Sequence, residues 1–162
     1  MLAGFFIGSV FFVRIGDLIG RRPIVIVSTI VNTLTLIFMQ FLAPTLTLTF
    51  IYIFIFGMTV APRCFLSFVW AMELTPKEHH LFYSTMAMII DSACMIFLGF
   101  YFWSVKSMGA LLNGLILIQI VIIALLWFFI PESAKFLYEK GRIEEFLKAL
   151  KKIARVNGNN SD

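Results

Sequence analysis

Asp17-Leu-Ile-Gly-Arg-Arg-Pro23 is a short charged stretch set between two long apolar runs. Met1 to Gly16 comes before it with Arg14 as its single charge, and Ile24 to Leu42 follows with none. Asp17, Arg21 and Arg22 between two membrane-length segments fit a tight loop at a bilayer surface. The charges then sit among headgroups and both flanking helices lie in hydrocarbon.

Composition agrees. The chain has 162 residues, of which 60% are hydrophobic and 14% charged. A soluble domain carries about 45–50% apolar and about 25% charged residues. A span needs about 20 apolar residues to cross about 30 Å of hydrocarbon. Five segments meet that requirement, at about 1–18, 23–43, 46–71, 81–103 and 109–130. Backbone amides in lipid must bond within their own segment, so the spans are helices. Barrel strands would alternate in polarity, and nothing here does. The first segment is read as a span: it has no basic leading region and no small-residue cleavage site, and it carries Arg14 and Asp17 at its far end. The expected fold is an all-α membrane protein with a five-span domain over 1–130. A helical tail over 131–156 and a flexible end over 157–162 follow.

Lysine and arginine sort to one side of these spans. Arg21 and Arg22 lie in the first loop, Lys77 between spans three and four, and Lys135, Lys140, Arg142, Lys148, Lys151, Lys152 and Arg155 after span five. The Ala43–Thr45 turn has no charge and Ser104–Met108 has only Lys106. The positive-inside rule puts the C-terminus in the cytosol, or the matrix of an inner mitochondrial membrane, and the N-terminus on the opposite face. Trp70, Trp103 and Trp127 fall near span ends, where indoles favour the interface. The net charge of +4 therefore reflects topology rather than nucleic-acid binding.

In the tail, Ile143, Phe146, Leu147, Leu150, Ile153 and Ala154 recur at helical spacing, with Glu144, Glu145, Lys148, Lys151 and Lys152 on the other face. This predicts an amphipathic helix in the headgroup layer or against the cytosolic span ends. Gly141 predicts the end of a short helix over about 133–140.

Three separated motifs resemble the major facilitator superfamily. Asp17-Leu-Ile-Gly-Arg-Arg-Pro23 is similar to the G-x-x-x-D-(R/K)-x-G-R-(R/K) loop between its helices two and three. Ala71-Met-Glu-Leu-Thr-Pro-Lys77 resembles the A-E-x-x-P segment after helix four. Pro131-Glu-Ser-Ala-Lys-Phe-Leu-Tyr-Glu-Lys-Gly-Arg142 resembles P-E-S-P-R-W-L-x-x-K-G-R after helix six; the A-E-x-x-P segment is that of sugar porters and organic cation transporters. Leu150-Lys-Lys-Ile-Ala-Arg-Val-Asn-Gly158 is nearest the organic cation branch. The resemblance covers nearly the whole chain and aligns its spans with family helices two to six. Helices one and seven to twelve have no counterpart here. Departures include Val13 for Gly, Leu18 for a basic residue, Ala134, Lys135 and Phe136 for P-R-W, no Arg around Tyr52–Gly57, and His79-His80 for Arg-Gly.

Ionisable residues inside spans are functional candidates, because an unpartnered charge in lipid is costly. Arg63 and Asp91 lie on antiparallel neighbouring spans, both roughly 15 Å from the same membrane face. Their matched depth predicts either a polar site on a central cavity or a structural ion pair. Asn32 and Gln119 complete the substrate-path candidates. With Gln40 and Asn113, they are also expected to make interhelical hydrogen bonds. Pro62 is expected to bend its helix and free a carbonyl. Gly4 and Gly8 form G-x-x-x-G, a close-packing face. Cys64 and Cys94 read as small packing residues.

The second constellation is a cytosolic charge network of Asp17, Arg21, Arg22, Glu73, Glu132 and Lys135. Glu132 and Lys135 are spaced to pair along a helix. The resemblance implies that such charges lock the inward side closed; the alternative is solvated interface charge. No cofactor, catalytic residue, metal site or nucleotide loop is indicated, and an enzyme is not expected. The resemblance implies a partial secondary transporter for a small organic solute, of the organic cation or sugar class. Its partners would be the lipid bilayer and a second membrane subunit or homodimer. The alternatives are a truncated paralogue serving as a structural subunit and an incomplete gene fragment.

Overall fold

The computed structural model describes residues 1–42, 45–128 and 130–156, with side chains except those of Val13 and residues 152–156. The predicted flexible end over 157–162, the centre of the Ala43–Thr45 turn and the side chains of the apolar positions Ile153 and Ala154 lie outside that description. The described residues are helical throughout, joined by short turns: α1 (Leu2–Ile19), α2 (Arg21–Phe41), α3 (Leu46–Leu74), α4 (His80–Ser104), α5 (Met108–Phe128), α6 (Ala134–Glu139) and α7 (Ile143–Val156). A 3-10 turn, Lys77–His79, leads into α4. Five of these helices, α1 to α5, are long and apolar enough to cross a membrane.

The charged stretch expected as a loop is almost no loop at all. Asp17 lies in the last turn of α1, Arg21 and Arg22 begin α2, and Gly20 alone joins the helices at φ 123 and ψ 154. That backbone region is open essentially only to glycine. A reversal this abrupt sets α1 and α2 side by side, with the charges at one end.

α3 is the central element, packed against α1 and α2; α5 packs on α2. The α1–α3 contact is close because the facing residues are glycines. A Cβ at Gly4 would fall 2.2 Å from the Phe54 carbonyl oxygen, and one at Gly8 the same distance from that of Met58. The close-packing reading of Gly4 and Gly8 therefore holds. Pro62 has no N–H to donate to Met58, four residues earlier. The carbonyl it frees is the one lying over Gly8, where a Cα–H can approach it. α3 remains one helix through Pro62.

A core of Val25, Leu66 and Trp70 forms near the charged end, with Ile24, Leu74, Leu126 and Ile130 against it. Trp70 is thus not an interfacial residue: it is 3% exposed, inside the bundle. Trp103 and Trp127 do face outward. Cys64 and Cys94 are free and exposed rather than packed. α4 has no buried residue.

The tail forms its two helices. Ser133 caps α6 by accepting from the Phe136 N–H at 3.3 Å. Gly141, at φ 71, ends it: its N–H donates to Tyr138 O and that of Arg142 to Leu137 O, both at 3.0 Å. Phe136, Leu137 and Ala149, with Phe146, bind α7 to α6.

Candidate functional site

α2 carries a buried polar stripe. Ser28, Thr29, Asn32, Thr33 and Thr35 are all 5% exposed or less. The hydroxyls of Ser28, Thr29 and Thr35 donate to carbonyls three or four residues earlier in their own helix. Asn32 has no such local option and reaches across. Its Nδ2 donates to Thr59 Oγ1 on α3 at 2.9 Å. Its Oδ1 accepts from Arg63 Nη1 on α3 at 2.7 Å and from Gln119 Nε2 on α5 at 3.0 Å. Gln119 Oε1 in turn accepts from Thr33 Oγ1 at 2.7 Å. One amide thus joins three helices in a low-dielectric interior, where such bonds matter most. Gln40 and Asn113 join α2 and α5 again at 2.8 Å. The expectation that these four amide side chains bond between helices is met.

Three of the four substrate-path candidates, Asn32, Arg63 and Gln119, come together. Asp91 does not join them. It is exposed on α4 and makes no ion pair or hydrogen bond among the described residues, so the expected Arg63–Asp91 pair is absent. α4 leaves Asp91 on an exposed face, and packing turns Arg63 toward Asn32 on α2. Arg63 is half-buried and has one hydrogen bond in this network. Of the five guanidinium N–H donors, most remain to meet another group.

The charge network gathers at the other landmark, the end where α1, α3 and α5 finish and α2 begins. Arg21 Nη1 pairs with Glu73 Oε1; the two side chains are 16% and 11% exposed. Arg21 also reaches Asp17 at 3.5 Å. Glu73 Oε2 accepts from Ser133 Oγ at 2.5 Å. Lys135 lies 4.0 Å from Glu73 and 3.9 Å from Glu139. Glu132 does not pair with Lys135. Its Oε1 accepts from the backbone N–H groups of Arg21 at 3.2 Å, Arg22 at 3.1 Å and Ser133 at 3.1 Å. Glu132 precedes α6, so the along-helix spacing does not apply to it. The first turn of α2 offers unbonded N–H groups and a positive dipole end, which draw a carboxylate more strongly than an exposed lysine does. Arg22 Nη2 donates to the Trp127 carbonyl at the end of α5 at 2.6 Å.

All six network residues therefore sit in one assembly, and it ties α1, α2, α3, α5 and α6 together. Sequence reasoning missed Thr59, Thr33 and Ser133. A signal existed for Thr33: with Ser28, Thr29 and Asn32 it makes a polar stripe at helical spacing. Thr59 had none, since its partner is 27 residues distant; Ser133 stands in the quoted Pro131-Glu-Ser motif, but its partner is 60 residues away. At the α3–α4 turn, the His80 ring nitrogen Nε2 lies 2.9 Å from the Thr75 carbonyl oxygen. Among the described residues no His, Cys, Asp and Glu side chains group to hold a metal ion.

The model of the family described as Sugar (and other) transporter matches residues 1–162. The chain belongs to this family. It is similar to "Solute carrier family 22 member 15-like" of Xenopus laevis, 29% identical over an alignment of 161 residues that covers 96% of this chain and 32% of the relative. It is also similar to "Organic cation/carnitine transporter 2" of Homo sapiens, at 26% over 156 residues, 96% of this chain and 28% of the relative. "Organic cation transporter-like protein" of Drosophila melanogaster matches at 27% over 159 residues, 96% and 27% respectively. The chain spans about a third or less of the length of these curated relatives. The major facilitator resemblance, organic cation and sugar porter branch, is thereby supported. Family and helices together make this an integral, multi-pass membrane protein of a transporter family, not an enzyme family.

Proposed function

We propose that these helices form part of a secondary transporter for a small organic solute, of the organic cation or sugar class. The observation that carries this reading is the half-buried Arg63, aimed by Asn32 and left with unbonded donors among the described residues, within a membrane span. A fixed guanidinium at that depth suits sugar oxygens, or the carboxylate of an organic cation that also carries one, and not the cationic group itself. The charge cluster at the opposite landmark fits a lock on one membrane face. By the positive-inside rule that face is the cytosol or matrix, with the C-terminus there and the N-terminus outside.

Alternating access needs two bodies that rock around a midplane site. α4 has no buried residue and Asp91 stands exposed on it. A carboxylate in hydrocarbon is unfavourable, so further membrane helices cover that face in the working transporter. Further sequence of a longer chain, a second copy or another subunit supplies them. Saturable uptake of a labelled organic cation or hexose by membranes containing the assembled protein tests the proposal, with Arg63→Ala expected to abolish it. Saturable uptake by a verified monomer in liposomes would refute the need for further helices. No uptake from an intact native assembly would favour a structural subunit instead.

A further inference from the structure

Arg63 lies on α3 about 15 Å from Glu73 and the charged end, at a rise of about 1.5 Å per residue. It has a single hydrogen-bond partner: Nη1 donates to Asn32 Oδ1 at 2.7 Å. Nε and Nη2 bond to nothing among the described residues. Both are also open. The Nε atoms closed off without an acceptor are those of Arg21 and Arg22, not that of Arg63. Nε–H and the neighbouring Nη2–H of a guanidinium point the same way and make a planar fork that takes two oxygens side by side. We propose that this fork binds a carboxylate carried by the solute, and that Asn32 is the positioning residue that holds the fork in place. The inference rests on the reading of Arg63 as the solute site, and it names the group that the solute must bear.

Charge balance selects the group. The side chains bonded into the Arg63 network are all neutral: Asn32, Thr59, Gln119 and Thr33. Arg63 forms no ion pair among the described residues. A cation inside a span without a counter-charge is unfavourable. A sugar hydroxyl would accept a hydrogen bond and leave that charge unbalanced. A carboxylate brings two oxygens for the fork and one negative charge for the one positive charge. A phosphate monoester brings nearly two, an excess that this neutral surrounding does nothing to offset. Asn32 fixes the geometry. It is 0% exposed, its Oδ1 also accepts from Gln119 Nε2 at 3.0 Å, and its Nδ2 donates to Thr59 Oγ1 at 2.9 Å. The amide therefore cannot turn without breaking bonds to both α3 and α5. An arginine already held at Nη1 has less freedom left to lose when its fork is occupied.

The test is equilibrium binding of labelled probes to membranes containing the assembled protein, in two matched pairs: glycine betaine against choline, and glucuronate against glucose. Within each pair a carboxylate replaces a primary alcohol and little else changes. In at least one pair the carboxylate member should bind about tenfold more tightly or better, the value of a hydrogen bond to a charged group. Arg63→Ala should bring that ratio to about one. Asn32→Asp is the second variant. It places a counter-charge against an intact Arg63, so the ratio should again fall to about one with helical circular dichroism unchanged; a purely structural Asn32 would leave the ratio as it is. Arg14→Ala, exposed on α1, should leave the ratio unchanged. Equal binding within both pairs, binding of no probe, or a carboxylate preference that survives Arg63→Ala or Asn32→Asp overturns the proposal. Carboxylate binding without uptake of that probe would support this site and overturn the transport reading. Saturable uptake with no carboxylate preference would overturn this inference and leave transport standing.

Discussion

Glu132 and Gly20 form a joint whose energetics can be worked out in advance. Glu132 Oε1 accepts the first two backbone N–H groups of α2, at 3.2 and 3.1 Å. Glu132→Ala removes an N-terminal cap, about 1 kcal/mol, and a carboxylate at the positive helix end, about 0.5–1 kcal/mol more. Glu132→Gln keeps an acceptor and loses only the charge, so about 0.5–1 kcal/mol is expected. Gly20→Ala acts twice. A side chain at φ 123 is strained, costing about 1–3 kcal/mol. Its Cβ would also sit 2.8 Å from Glu132 Oε2, shifting that carboxylate and losing up to about 2 kcal/mol of the cap. Once Glu132→Ala has removed the carboxylate, adding Gly20→Ala brings only the strain. The double variant should therefore be less destabilised than the sum of the single ones, by up to about 2 kcal/mol. The measurement is equilibrium unfolding in mixed micelles of rising dodecyl sulfate content, followed by far-UV circular dichroism. Additive effects would refute the shared joint, as would Glu132→Ala within about 0.5 kcal/mol of wild type.

Gly8→Ala should destabilise the same unfolding transition by about 1–3 kcal/mol, because its Cβ meets backbone rather than a movable side chain; Gly99→Ala on α4, with open space around it, should be silent or slightly stabilising. Asn32→Ala breaks three interhelical bonds and should cost about 2 kcal/mol at the average of about 0.6 kcal/mol each in membranes; no measurable change would deny the network its structural role. A double-mutant cycle of Arg63→Ala and Asp91→Ala should show coupling below about 0.5 kcal/mol, whereas a large coupling would show that the two side chains meet. For topology, a cysteine at Lys148 in a Cys64→Ala, Cys94→Ala background should resist membrane-impermeant maleimide added outside sealed cells, and prompt labelling would reverse the orientation.

What was legible in the chain follows from two requirements that act locally. Hydrocarbon thickness demands runs of about 20 apolar residues, and lipid demands that each run bond to itself; five helices and their approximate ends follow without knowledge of their neighbours. The glycine pair on α1 and the helix-ending Gly141 were readable for the same reason, since a missing side chain acts wherever the backbone passes close or turns. The grouping of Asp17, Arg21, Arg22, Glu73, Glu132 and Lys135 at one end was readable too, because an up-and-down chain brings alternate span ends to the same face. Partner choice was not. A helix apolar on every side carries little signal for which face turns inward, so depth suggested Asp91 for Arg63 where packing supplied Asn32. Spacing suggested Lys135 for Glu132, yet the open N–H groups of α2, more than a hundred residues earlier, hold it. Trp70 fits an interfacial belt by position and lies in the core by contact. Depth and charge side are properties of one segment, set by the solvent around it. Rotation, pairing and burial are properties of two or more segments, and only their packing decides them.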